Sequence, residues 1–129
     1  MLNFREFEAG PDPFGRKWQV LFKWLQGAIS IRHADTIDVK FILTCDGERQ
    51  EKTIAIPHGD LCQVSSDLGR PFDDPWCSRI AAMHLQHLIE TGEDMEKALV
   101  TITPQDLAMY AKTLAESERR MIRVACQAF

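Results

Sequence analysis

The chain has 129 residues, 45% of them hydrophobic and 26% charged, a size and balance that suit one globular domain with a core of its own. Its net charge of −4, with eleven acidic against seven basic residues after Pro57, gives no basic face for phosphate backbones, so no nucleic-acid partner is expected. No run approaches the roughly 18 apolar residues of a membrane span, and acids at Glu6 and Glu8 interrupt what a leader peptide would need as an apolar stretch.

The first nine residues carry Leu2, Phe4 and Phe7 and read as an edge strand, ended by Gly10-Pro11-Asp12-Pro13. From Trp18 the period becomes two. Trp18, Val20, Phe22 and Trp24 share one face, with Leu21 and Leu25 on the other. Gln26-Gly27 is expected to break this strand, which resumes over 28–32 and turns at His33-Ala34-Asp35. Ile37, Val39, Phe41, Leu43 and Cys45 then alternate, Asp46-Gly47 marks a tight hairpin, and Glu51 to Ile56 returns with Ile54 and Ile56 inward. Short connections of this kind imply an antiparallel meander.

After Pro57 the pattern turns helical. A short helix is expected over 59–68, ended by Gly69. A second starts at Asp74-Pro75, with Asp74 as its cap, and runs to Thr91 before Gly92. Leu99 to Ile102 suits a brief strand. Thr103-Pro104 opens a last helix reaching about Val124, with an apolar stripe of Leu107, Tyr110, Ala111, Leu114, Ala115, Met121 and Ile122. The expectation is a single α+β domain over 1–129. Its antiparallel meander of four or five strands is packed on one face by two main helices.

Four cysteines without a C-x-x-C pair point to free thiols in a reducing, cytoplasmic setting. Dispersed glycines exclude a phosphate-binding loop, and no cofactor is expected. Two polar pairs are catalytic candidates, His33 with Asp35 and His58 with Asp60, since a carboxylate two residues from a histidine can orient it as a base. Arg32, Trp76 and His84 are candidates for ligand binding. His84 and His87, three apart on one helix, are the candidate metal ligands, although His84 falls on the apolar side of its wheel.

These readings give three functions. The leading one is a non-enzymatic cytoplasmic interaction domain, paired as a homodimer through an overhanging last helix with Met121, Val124 and Phe129. The second is a small hydrolase or metal-assisted enzyme using His58, Asp60, His84 and His87. The third is a small-molecule binder with an aromatic pocket between sheet and helices, lined by Trp18, Phe22, Trp24 and Phe41.

Overall fold

The computed structural model describes residues 5–28 and 35–127, without the side chains of residues 28 and 121–127. Strands β1 (Glu6–Ala9), β2 (Trp18–Ala28), β3 (Thr36–Cys45) and β4 (Glu48–Pro57) come first. Helices α1 (His58–Leu68) and α2 (Asp74–Thr91), strand β5 (Leu99–Thr101) and helix α3 (Pro104–Gln127) follow. The strands form one five-stranded sheet in chain order, antiparallel except at its last pair. This is the α+β arrangement that the alternation and the later helical periods imply.

Each turn has a local cause. Asp46 and Gly47 both adopt positive φ (46° and 82°), the conformation a two-residue hairpin needs, and β3 and β4 pair throughout from Cys45↔Glu48 to Thr36↔Pro57. The chain then crosses over through α1 and α2 and returns as β5, so Thr53, Ile54 and Ala55 pair with Leu99, Val100 and Thr101 in parallel.

Strand β2 departs from the simple alternation. A bulge between Phe22 and Trp24 shifts its register on β3, placing Trp24 opposite Lys40 and Leu25 opposite Val39. One extra residue swaps the faces of everything after it. Leu25 therefore joins the inner face with Trp18, Val20 and Phe22, while Trp24 moves outside, where the Lys40 ammonium lies 5.7 Å from its ring centre. Nor does Gln26-Gly27 end the strand: Gly27 pairs with Ile37 and Ala28 with Thr36. The expected continuation beyond 28 and the turn at His33-Ala34 lie outside the described residues.

The inner face is sealed by α2, whose Trp76, Cys77, Ile80, Ala81, Leu85, Leu88 and Ile89 are buried with Val39, Phe41, Leu43, Ile54 and Ile56 of the sheet. Asp73, one residue earlier than expected, caps α2 by accepting the Trp76 amide at 2.9 Å. Gly92 closes it at φ 75°, and a Cβ there would meet the Pro13 ring at 2.8 Å, so the β1–β2 loop rests directly on this helix end. Helix α3 packs chiefly on α1 and α2 through Leu107, Tyr110, Ala111 and Leu114.

Two buried charges hold the loops. Asp12 accepts from the Phe14 and Arg16 amides (2.9 and 2.8 Å), the Arg16 side chain (3.0 Å) and the Trp18 indole (3.1 Å). Lys52 faces inward opposite Phe41 and is 1% exposed; its ammonium donates to the carbonyls of Asp94 and Lys97 at 2.8 and 2.9 Å. Together these bonds fix the β1–β2 loop and the segment leading into β5.

Candidate functional site

The start of α1 brings together three of the sequence-derived candidates, Asp35, His58 and Asp60. Pairing of Thr36 with Pro57 aligns the beginning of β3 with the end of β4, and the His58 amide donates to the Asp35 carbonyl at 2.8 Å. Asp35 of one polar pair and His58 and Asp60 of the other therefore share one corner of the sheet, at a strand-to-helix junction where working side chains are commonly carried. His33 and Arg32 lie outside the described residues. Asp35 is exposed and Asp60, the acid of the first turn of α1, is half-buried.

Among the described residues, His58 meets the side chains of Phe72 and Cys62. The Phe72 ring meets its imidazole edge-on at 5.7 Å, and Cys62, one helical turn along, places Sγ 3.7 Å from Nδ1. Residues four apart on a helix share a face, which is why His58 reaches Cys62 and not Asp60 two positions on. Cys62 is exposed, whereas Cys45 and Cys77 are buried. Burial, with the nearby carboxylates of Asp74 and Asp73, pushes the Cys77 thiol up to about 12, and burial beside Asp46 also raises that of Cys45. The H-x-x-x-C spacing was open to view in the sequence, but only a helix beginning at His58 turns it into a contact.

The α2 candidates separate by environment. His84 is buried between α2 and α3, where its Nδ1 and the Tyr110 hydroxyl share a hydrogen bond of 3.0 Å. Burial lowers the His84 pKa and raises that of Tyr110 to about 12, so both rings are neutral at pH 7. His87, on the same helix, is exposed. Among the described residues, no group of three or more His, Cys, Asp or Glu side chains is placed to hold a metal ion.

Trp76 is fully buried and so presents no ring to a ligand at the surface. Its indole supports Arg70, whose guanidinium lies 4.8 Å from the ring centre and makes a bidentate pair with Glu118 of α3 at 2.8 Å for each bond. Arg70 thereby ties the α1–α2 connection to both later helices.

The aromatic residues expected to line a pocket are divided differently. Trp18 and Phe41 are fully buried in the core, and Trp24 is on the opposite face. Phe22 borders an open cleft of about 210 Å³ with Leu25 of β2, Arg5, and Asp74, Pro75 and Ser78 of α2. That volume falls below the roughly 300 Å³ at which pockets for drug-sized ligands begin.

The opposite face of the sheet is a lattice of charge and apolar residues. Glu51 accepts from Lys23 at 2.9 Å and pairs with Lys40 at 2.9 Å, and these bonds bring its carboxyl down to about 2. Leu21, half exposed, stands opposite Ile42 beside this network.

Comparison with known protein families, with curated proteins and with solved structures finds no match to this chain. No helix among the described residues is long and apolar enough to cross a membrane.

Proposed function

We propose that this chain is a non-enzymatic cytoplasmic interaction domain that pairs with a second copy of itself through the later half of α3. The observation that supports this reading is the helix itself. It runs for 24 residues, about 36 Å by its rise, yet its buried residues among the described side chains end at Ala115. The apolar rhythm of the sequence does not end there: Met121, Ile122, Val124 and Ala125 continue it. A stripe that has covered α1 and α2 and then runs on gains most by burial against a partner. A two-fold pair is the commonest way for such a surface to close on itself.

The negative net charge favours protein over nucleic acid as the partner, and the free thiols of Cys45, Cys62 and Cys77 suit a reducing compartment. Light scattering on the eluted full chain tests the reading. The expected species has twice the 14.7 kDa chain mass and shifts to the chain mass in Met121→Glu, with the helical circular dichroism unchanged. A wild-type species of 14.7 kDa at every concentration would remove the homodimer.

A further inference from the structure

We propose that His58 and Cys62 form an exposed thiol–imidazole dyad that makes Cys62 the preferred site, among the described cysteines, of exchange with small oxidised disulfides. The pair is held from both sides. The His58 backbone is anchored by its bond to the Asp35 carbonyl, its ring is backed by Phe72, and its Nδ1 is left 3.7 Å from Cys62 Sγ. With the ring proton on Nε2, Nδ1 accepts from the thiol. Cys62 lies one turn into α1 and is exposed, so a small disulfide can reach its sulfur. The other two described cysteines lack these conditions, being buried and held in the thiol form.

The step balances without a metal or a further oxidant. Nδ1 takes the proton from Sγ, and the sulfur attacks one sulfur of a disulfide R–S–S–R. The S–S bond breaks, its electron pair leaves with the second half, and that thiolate recovers the proton from the imidazolium. Cys62 ends as a mixed disulfide with one R–S group, and one R–SH is released as the reduced product.

Oxidised glutathione is the probe, added to the folded full chain at pH 7, with adducts located by peptide mass spectrometry over time. The expected result is an adduct at Cys62 well before any at Cys45 or Cys77. His58→Gln slows it roughly tenfold, a modest part of what a positioned general base contributes. In urea the wild type and His58→Gln react at the same rate, because the dyad exists only while α1 is folded. Adducts at Cys45 or Cys77 that keep pace with Cys62 would overturn the proposal. So would an undiminished rate in folded His58→Gln, or a difference between the two proteins that persists in urea.

Discussion

Asp12 and His84 are both buried and polar, yet acid acts on them in different ranges. Burial alone would raise the Asp12 carboxyl. The hydrogen bonds from the Arg16 backbone, the Trp18 indole, the Phe14 backbone and the Arg16 side chain outweigh it and bring the value from 3.8 down to about 2. A carboxyl depressed by folding adds stability above its unfolded pKa and loses it as pH falls through the folded one. The Asp12 contribution is therefore present above pH 3.8 and lost towards about 2.

His84 works on the other side of neutrality. Burial lowers its pKa below 6.5, only partly opposed by the charges of Asp106, Asp94 and Glu93, with His87 adding to the lowering. The unfolded chain then binds the proton more readily than the folded one, so stability falls as pH drops below 6.5. Thermal unfolding followed from pH 7.5 to 2.5 should separate the two. His84→Gln should flatten the decline just below 6.5, and Asp12→Asn should flatten the one below 3.8 while lowering the melting temperature at pH 7. Curves parallel to wild type throughout would show that neither group is bound as described.

The burial of His84 was legible from its place on the apolar side of the wheel, but the role of Asp12 was not plain in the residue string. Asp12 lies between prolines and reads as loop punctuation, because its four donors include the backbone it bends and a tryptophan six residues on. Lys52 is different. Period two from Ile54 and Ile56 places it inward, and only the habit of assigning lysine to solvent hides this. The carbonyls of Asp94 and Lys97 that receive it come from a segment more than forty residues away, which alternation cannot locate.

At the scale of elements, hydrophobic period and turn chemistry carried most of the architecture. The hairpin at Asp46-Gly47, the end of α2 at Gly92 and the start of α3 at Thr103-Pro104 all follow from residues with one strong conformational preference. Where local rules failed, a neighbouring strand decided. The bulge after Phe22 is set by pairing with β3 and has no glycine to announce it, and Gly27 stays in the strand because Ile37 pairs with it.

The bulge has a direct energetic consequence. Leu25→Ala should cost about 2 kcal/mol in denaturant unfolding, because it removes inner-face packing beside Val39. Trp24→Thr should cost about 1 kcal/mol or less, since it removes an outer-face contact with the Lys40 ammonium. Uninterrupted alternation would predict the reverse order, so the two variants distinguish the registers. The corner shared by His58 and Asp35 was hidden for a similar reason: only the β3–β4 register brings these two residues together.

For the molecule as a whole, the layers assign separate tasks. The inner sheet face and α2 supply the core, Arg70 fastens α3 across Trp76 and Glu118, and the outer face is held by ion pairs centred on Glu51. In sequence the later part of α3 continues a stripe already used for packing, and the proposed pairing rests on it, whereas Leu21 and Ile42 sit among charges that are paired within the sheet. Composition and period revealed the length of this helix to within a turn. They could not reveal that, among the described side chains, its last buried residue is Ala115, because that depends on how far α1 and α2 extend beneath it.

Isotope-filtered nuclear Overhauser measurements on an equal mixture of labelled and unlabelled chains test the proposed pairing most directly. The account predicts intermolecular contacts from the methyl groups of Met121 and Ile122. Contacts found only from Leu21 and Ile42, or none at all, would contradict it.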